Sequence, residues 1–285
     1  MNEIKGERTM KLKKLVAGAL SLAMVFGLCT MTSCGKGEVT ADPMKQTTTE
    51  GVLVVGLDDT FAPMGYRDEN NDLVGFDIDL ANAVGEELGM KIEFQPISWD
   101  AKDLELKSGN IDCIWNGMSV TPERLEAMSL SKKYLNNNIV LMTDKGNDVV
   151  IKDAKDLAGY KIGTQADSAA LEMLMANEEY DNFKDNITEY GDYDKALLDL
   201  KAGRVDVIAI DQVLGEFKNN NLGGELVTCD YAVGEDAYAI GFRKDNPELR
   251  DLVNDAIKKV IDNGKAEEIS NKWFGKNIVI FEDAE

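Results

Sequence analysis

The sequence predicts an α/β fold built from two successive units of strands joined by helices. From residue 51 onward, short apolar runs typical of buried strands alternate with segments of helical spacing. The same alternation starts again near residue 161. Strands that alternate with helices form parallel sheets with crossover connections, so we expect two lobes of this kind with a cleft between them.

The first unit opens with a short valine-rich run, the pattern of a buried strand. Helical spacing and further apolar runs follow it in the order strand, helix, strand, helix, strand. The predicted elements are a strand over Val52–Gly56, a helix over Phe76–Leu88, a strand over Lys91–Gln95, a helix over Ala101–Lys107 and a strand over Ile111–Trp115.

The second unit repeats the pattern and then ends in helices. Its predicted strands are Lys161–Gly163, Ile187–Tyr190, Val207–Ile210 and Ala237–Phe242. Its predicted helices are Ser168–Ala176, Tyr193–Ala202, Pro247–Asn263 and Lys265–Trp273.

Composition narrows the possible functions. Hydrophobic residues make up 44% of the chain and charged residues 29%, which is typical of a folded globular protein. The net charge of −21 disfavours nucleic acid as a partner. The absence of histidine excludes Ser-His-Asp and Cys-His catalysis and histidine-ligated zinc. The cysteines show no CxxC spacing, and we expect Cys113 and Cys229 to be buried thiols, although a disulfide between them stays open.

The N-terminal region has the pattern of an export signal. Lysines precede the apolar run Leu15–Leu28, which is too short for a stable membrane span. The segment Met31–Cys34 resembles a bacterial lipobox, which implies a signal over residues 1–34 and a lipid anchor on Cys34. The alternative is an ordinary cleaved signal with an incidental cysteine. Residues 35–50 lack apolar periodicity and are predicted to form a flexible tether.

Ligands of α/β sheets bind beyond the carboxyl ends of the strands. This rule selects Asp58–Phe61, Asn116–Arg124, Gln165–Ala169 and Asp211 as candidate site residues. Asp211 has a second interpretation, as the N-cap of a helix over Gln212–Phe217.

The segment Asn116–Arg124 is the most informative of these candidates. Thr121 and Pro122 predict an N-cap followed by proline at the first helical position. The residues before them, Asn116 to Ser119 with Met118 among them, are placed for backbone groups to approach a ligand. Arg124 is suited to bind a carboxylate with two parallel hydrogen bonds. The alternative is a surface arginine beside a well-capped helix.

An ordered set of motifs supports a specific resemblance. These motifs are Gly51–Gly56 with Asp58 and Pro63, Gly75–Leu80, Ser108–Asp112, Thr121–Arg124, Lys161–Gln165, and Gly203–Asp206 followed by Asp211. Together they resemble the polar amino-acid branch, family 3, of the bacterial extracellular solute-binding proteins, over residues 51–275.

The resemblance implies the type II fold of periplasmic binding proteins, with two doubly wound α/β lobes joined by a two-segment hinge. It places residues 51–136 and 237–285 in the first lobe and residues 137–236 in the second. The hinge is expected near Tyr134–Val140 and Gly234–Tyr238.

The resemblance also implies roles at the ligand's main-chain groups. Arg124 would pair with the α-carboxylate, aided by backbone N–H groups of Ser119 and of Ser168 and Ala169. Asp211 would bind the α-ammonium, helped by the Ser119 hydroxyl and the Gly117 carbonyl. A buried zwitterion needs both charges paired, because an unmatched buried charge costs several kcal/mol.

The remaining implied contacts concern the ligand's side chain. Phe61 and Trp99 would flank it, and Asp58 and Gln165 would lie near its far end. Each has a simpler interpretation: core packing for the two aromatic rings, a turn for Asp58, and a solvated loop for Gln165. A carboxylate at Asp58 disfavours acidic ligands and leaves neutral, basic and cystine-like amino acids open.

The implied protein is the substrate-binding component of an amino-acid ABC importer. Its expected partners are a free amino acid, a permease and an ATPase, and we expect a monomer, exported and held on the outer face of the membrane through Cys34. We expect no cofactor, no metal and no enzymatic activity. A sensory or ligand-presenting receptor and a dehydratase of cyclic acids on the same fold are the alternatives.

Overall fold

The computed structural model describes residues 47–284. Its strands are β1 (Val52–Leu57), β2 (Thr60–Phe61), β3 (Gly65–Arg67), β4 (Leu73–Val74), β5 (Lys91–Pro96), β6 (Cys113–Ile114), β7 (Ser129–Leu130), β8 (Lys133–Asp144), β9 (Ile162–Gln165), β10 (Ile187–Tyr190), β11 (Val207–Asp211), β12 (Leu226–Tyr238), β13 (Gly241–Phe242) and β14 (Val279–Glu282). Its helices are α1 (Phe76–Leu88), α2 (Lys102–Ser108), α3 (Pro122–Ala127), α4 (Ala169–Met175), α5 (Tyr180–Phe183), α6 (Tyr193–Lys201), α7 (Gln212–Asn221), α8 (Pro247–Asp262) and α9 (Lys265–Phe274).

The first sheet has the strand order β5-β1-β6-β13-β7. Strand β1 pairs in parallel with β5 and β6, and β13 pairs antiparallel with β6 and β7. The parallel core of this sheet confirms the predicted strand-helix alternation. A small antiparallel meander of β2, β3 and β4 follows β1.

The second sheet has the order β10-β9-β11-β8-β12, with β14 paired to β8. Strands β9, β10 and β11 are parallel, as the sequence predicts, whereas β8 and β12 are antiparallel to their neighbours. The sequence prediction missed the length of β8 and β12. Three consecutive asparagines, Asn136 to Asn138, lie inside β8, and asparagine is depleted in strands generally.

The chain passes between the two sheets from β7 to β8 and again from β12 to β13. The sequence predicts crossings near Tyr134–Val140 and Gly234–Tyr238. These segments lie within β8 and β12, which pair with each other, for example at Leu135 opposite Tyr238. The predicted strand Ala237–Phe242 is wrong as one element. It breaks after Tyr238, and Gly241 and Phe242 belong to the other sheet.

The folded body begins before residue 51. The Thr48 N–H and hydroxyl both donate to Asp112 Oδ1, at 2.7 and 2.8 Å, and the hydroxyl also reaches the Gly109 carbonyl at 2.9 Å. Residues 47–50 are therefore attached to the body, and the prediction of a flexible tether is wrong for them. The signal over residues 1–34, Cys34 and tether residues 35–46 lie outside the described residues.

Buried apolar residues unite the helices with the sheets. Helix α1 buries Phe76 and Leu80, and α8 buries Val253 and Ile257, all in one cluster that extends through both sheets. Cys113 is buried and Cys229 half-buried, and both are free thiols, so burial of both is only partly confirmed. Among residues 47–284, no helix combines the length and apolar character that crossing a bilayer requires.

Candidate functional site

The candidate site residues meet where strands of the two sheets end. Asp58 directly follows β1, while Gln165 and Asp211 are the last residues of β9 and β11. Gln165 Nε2 donates to Asp58 Oδ2 at 2.8 Å, which joins the first sheet to the second. Gln165 is 2% exposed, so its interpretation as a solvated loop residue is wrong.

Asp58 uses its two carboxylate oxygens differently. Oδ1 accepts hydrogen bonds from the N–H and hydroxyl of Thr60, at 2.9 and 2.7 Å, and so stabilises the turn after β1. Oδ2 faces Gln165. Burial raises the pKa of Asp58, and the hydrogen bonds from Thr60 and Gln165 oppose that rise. The turn interpretation is therefore confirmed for one oxygen, while the other is directed between the sheets.

Arg124 is a buried cation at the start of α3. Thr121 caps the helix by accepting the Arg124 N–H at 3.3 Å, as the sequence predicts. The residue is only 3% exposed, so its interpretation as a surface arginine is wrong. Nη1 donates to the Ser119 carbonyl at 3.0 Å, and Nη2 lies 3.1 Å from Oε1 of Glu172 on α4.

The Nε of Arg124 has no hydrogen-bond partner among residues 47–284. Nε and Nη2 form one edge of the guanidinium, the edge that binds a carboxylate with two parallel hydrogen bonds. A buried charged donor without an acceptor is costly. This edge therefore has the chemistry of a carboxylate site, although Nη2 also donates to Glu172 and to the Asp167 carbonyl.

One backbone carbonyl collects three donors from the opposite side. The Asp167 carbonyl accepts Trp99 Nε1 at 3.1 Å, Arg124 Nη2 at 3.3 Å and Lys102 Nζ at 3.4 Å. Asp167 has φ 56°, a left-handed conformation that is uncommon outside glycine, and its carboxylate pairs with Lys102. Lys102 is 2% exposed. Sequence reasoning missed this pair, because nothing in the local pattern predicts a buried lysine.

The two aromatic candidates occupy different parts of the site. The Trp99 ring lies under the Arg124 guanidinium, 5.8 Å from its carbon, and under Lys102 Nζ at 5.3 Å. The ring of Trp99 therefore stabilises both cations through cation–π contacts, and Arg124 is the one expected to bind a carboxylate. The Phe61 ring lies 6.2 Å from the ring of Tyr193, beside Gly117.

Asp211 is directed into the site and does not cap α7. Its backbone occupies the N-cap position, but its side chain accepts no capping hydrogen bond, so the N-cap interpretation is wrong. Oδ1 instead accepts Asn137 Nδ2 at 2.8 Å and the Tyr238 hydroxyl at 2.9 Å. Burial, together with the charge of Asp236, raises the pKa of Asp211.

Asp236 on β12 is a site residue that sequence reasoning missed. Its Oδ2 accepts the Ser119 hydroxyl at 2.9 Å and Asn137 Nδ2 at 2.7 Å. Its Oδ1 has no partner within the described chain, and the residue is 9% exposed. The alternation of β12 is interrupted by register shifts on both sides of Ala232, so the facing of Asp236 could not be read from its sequence position.

The remaining candidates lie close to these groups. Ser168 caps α4 by accepting the Leu171 N–H, and Ala169 starts that helix. Asn116 Oδ1 accepts the Asp58 N–H at 3.0 Å. Gly117, at φ 55°, lies where a Cβ would meet the Phe61 ring at 2.9 Å, so only glycine fits there.

Met118 differs from the other candidates. Its side chain packs in an apolar cluster with Trp99, and its carbonyl accepts the Ala239 N–H. Its backbone therefore joins the first sheet to the crossing after β12, and its side chain belongs to the core.

The charges of this arrangement are complementary to those of a zwitterion. An arginine edge is available for a carboxylate, and two buried carboxylates with unused oxygen capacity are available for a cation. Within residues 47–284, no group of three or more acidic or cysteine side chains is placed to hold a metal ion.

Comparisons with known proteins show which family the chain is similar to. The model of the bacterial extracellular solute-binding proteins, family 3, matches residues 53–276. L-cystine-binding protein TcyJ of Escherichia coli strain K12 is 27% identical, over 93% of this chain and 97% of that protein. Arginine-binding extracellular protein ArtP of Bacillus subtilis strain 168 is 30% identical, over 92% of this chain and 98% of that protein. The crystal structure of an ABC uptake transporter substrate binding protein from Streptococcus pneumoniae with bound histidine is 36% identical, with a TM-score of 0.78 over 84% of this chain and 98% of that chain.

Proposed function

This chain belongs to the bacterial extracellular solute-binding proteins, family 3, and has their type II periplasmic-binding-protein fold. From this premise we propose that it captures a free amino acid between its two sheets and delivers it to the permease of an ABC importer. Two of its relatives are named as L-cystine-binding and arginine-binding proteins, and the similar solved structure contains bound histidine.

The observation that carries the proposal is that the Nε of buried Arg124 has no hydrogen-bond partner in the described part of the chain. A guanidinium taken out of water without a full set of acceptors costs free energy, which a ligand that supplies the missing acceptor recovers. A ligand α-carboxylate on the Nε and Nη2 edge supplies them. In this proposal Ser119 and the first turn of α4, at Ser168 and Ala169, add backbone N–H groups.

Asp211 is the proposed partner of the ligand's α-ammonium group. Its carboxylate is 4% exposed and lies within the electrostatic reach of Arg124. A zwitterion with its carboxylate on Arg124 therefore has a buried anion available for its other charge. The Gly117 carbonyl and the Ser119 hydroxyl oxygen serve as further acceptors.

The side chain of the ligand is proposed to extend past Phe61 toward Asp58 and Gln165. Burial raises the pKa of Asp58, and the charge of Asp192 adds to that rise, which is unfavourable for an additional carboxylate nearby. The proposed ligands are accordingly neutral, basic or cystine-like amino acids, with aspartate and glutamate excluded.

Closure of two lobes is the proposed mode of capture. We assign residues 51–136 and 237–285 to one lobe and 137–236 to the other, with the chain crossings beside β8 and β12 as the hinge. Hydrogen bonds from Trp99, Arg124 and Gln165 join residues of the two proposed lobes, which supports assigning this conformation to the closed state. Ligand stabilises it because both ends of the zwitterion are paired only when the lobes meet.

The proposed location is the outer face of the cell membrane, through an N-terminal lipid on Cys34. The support is the lipobox-like segment Met31–Cys34 after a basic and then apolar stretch. Cys34→Ser should move the protein from the membrane fraction to the medium. Continued membrane retention of this variant would reject the lipid anchor without touching the binding proposal.

The test of the function is a thermal-shift screen of the purified chain against each free amino acid, followed by calorimetry. Ligand at about 100 times its dissociation constant adds roughly 2.7 kcal/mol of stability. Mass spectrometry of the recovered ligand should find it chemically unchanged, as a receptor and not an enzyme requires. A chain whose melting temperature responds to no amino acid would overturn the proposal.

A further inference from the structure

Two buried carboxylates lie side by side in the site, and the proposed function uses only one of them. Asn137 Nδ2 donates to Asp211 Oδ1 at 2.8 Å and to Asp236 Oδ2 at 2.7 Å, so a single amide nitrogen bridges the pair. Both acids are on strands of the second sheet. Nothing in the pairing of those strands requires a second acid there.

Each acid has one oxygen engaged by neutral donors. The Tyr238 hydroxyl completes Asp211 Oδ1, and the Ser119 hydroxyl completes Asp236 Oδ2. Asp236 Oδ1 has no partner within residues 47–284, although the residue is nine-tenths buried. A buried carboxylate oxygen without a donor is costly, which indicates that a donor arrives from outside the chain.

The nearby cation of the chain does not supply that donor. The hydrogen bonds of Arg124 go to Ser119, Asp167 and Glu172, and none goes to Asp236. Ser119 connects the two groups, since its carbonyl accepts from Arg124 and its hydroxyl donates to Asp236. Ser119 is therefore the single residue that separates Asp236 from the Arg124 edge proposed for the ligand carboxylate.

An ammonium group fits this arrangement because it has three donors and one positive charge. Building on the proposed function, we propose that Asp236 is a second carboxylate for the α-ammonium of the ligand, which it grips together with Asp211. The two acids then share one cation, and the site selects ligands whose ammonium can reach both.

The pair has a consequence for protons. Burial raises the pKa of Asp236, and burial with the charge of Asp236 raises that of Asp211, so the empty site retains a proton at pH values where exposed acids have lost theirs. The ammonium favours the ionised forms, so capture expels that proton. Other titratable or charged groups around the pair are Arg124 on α3, Glu172 on α4 behind it, Tyr193 on α6, Tyr134 on β8 and Tyr238 on β12.

The sign of the pH dependence follows from this linkage. At low pH the ligand must displace a bound proton from the pair, and at high pH it does not. Affinity should therefore fall as the pH is lowered from about 8 to about 5. Calorimetry in buffers of different ionisation enthalpy should count release of up to about one proton per ligand near neutral pH.

The experiment uses the full chain, the amino acid that gives the largest thermal shift, and two variants. Asp236→Asn keeps the size and an accepting oxygen but removes the charge, and we expect about ten- to a hundredfold weaker binding with reduced proton release. Glu235→Gln removes the same charge from the exposed neighbour on β12 and should bind as the wild type does. Proton counting on the wild type needs no variant and holds even if Asp236→Asn folds poorly.

The outcomes separate the two proposals. If the wild type binds no amino acid, the proposed function fails and this inference fails with it. If the wild type binds without releasing a proton, or Asp236→Asn binds as tightly with an unchanged pH dependence, the second carboxylate is rejected and the proposed function stands. Weaker binding with loss of proton release supports it.

Discussion

Glu172 occupies part of the arginine edge that the ligand carboxylate is proposed to use. Its Oε1 lies 3.1 Å from Arg124 Nη2, while Nε on the same edge has no hydrogen-bond partner in the part of the chain that the structure describes. Glu172→Gln keeps the shape and an accepting oxygen but removes a negative charge. We expect tighter amino-acid binding, because the ligand carboxylate then displaces a neutral group and no longer meets a like charge.

The magnitude follows from Coulomb's law. Two like charges about 5 Å apart interact by about 3 kcal/mol at an effective dielectric constant of about 20. The Glu172 side chain is 22% exposed, so solvent screens part of this repulsion. We therefore expect a gain of about 1–2 kcal/mol, or about five- to thirtyfold in the dissociation constant.

The assay is isothermal calorimetry at constant pH, with Glu178→Gln as the matched control. Glu178 is an exposed glutamate six residues further along, so the control makes the same change in net charge away from the site. The sign of the effect is decisive. Weaker binding by Glu172→Gln would mean that Glu172 acts mainly as a closing contact and that the carboxylate does not use this edge of Arg124.

Further predictions concern other parts of the site. Arg124→Ala should weaken binding by about 2–5 kcal/mol by calorimetry, because it removes a buried charge partner, whereas Arg204→Ala on the surface should not change it. Asp167→Gly removes the carboxylate that pairs with buried Lys102 of the other proposed lobe. Because this pair then no longer holds the lobes together, stopped-flow fluorescence should show faster ligand release. An unchanged rate would show that the pair does not hold the closed state. Burial raises the pKa of Asp77 to about 7, so the folded chain keeps a proton that the unfolded chain loses above about pH 4. The free energy of unfolding should therefore fall as the pH rises from about 4 to about 7. In Asp77→Asn this fall should be smaller by an amount on the order of 4 kcal/mol. Denaturant titrations that find the same pH dependence of stability in the wild type and the variant would contradict this.

The sequence predicts the parts of the site that follow from local patterns. Asp58, Gln165 and Asp211 lie just beyond the carboxyl ends of the predicted strands, which selects them as candidates, and the structure places all three in the buried region between the sheets. The cap of α3 at Thr121 followed from its residue types alone. These positions depend on rules that act within a few residues.

The parts that were missed depend on distant contacts. Asp236 faces the site only because bulges in β12 set its register against β8. Lys102 is buried because Asp167, 65 residues later, supplies its partner. Glu172 has helical spacing with no sign of its role, since its partner Arg124 lies on α3, 48 residues earlier in the chain. A charged residue within a strand or helix pattern is normally predicted to be exposed. These three residues are buried or half-buried only because distant partners in the fold pair with them.

The clasp between Thr48 and Asp112 has a mechanical consequence. The same carboxylate holds Thr48 with one oxygen and the β1 backbone, at the Val54 N–H, with the other. A pull on the polypeptide from its N-terminal side is thus borne by β1, a strand flanked by parallel neighbours on both sides. Tension along β1 loads its hydrogen bonds to both neighbours in shear. The proposed membrane tether would therefore pull within the first sheet and not between the two sheets.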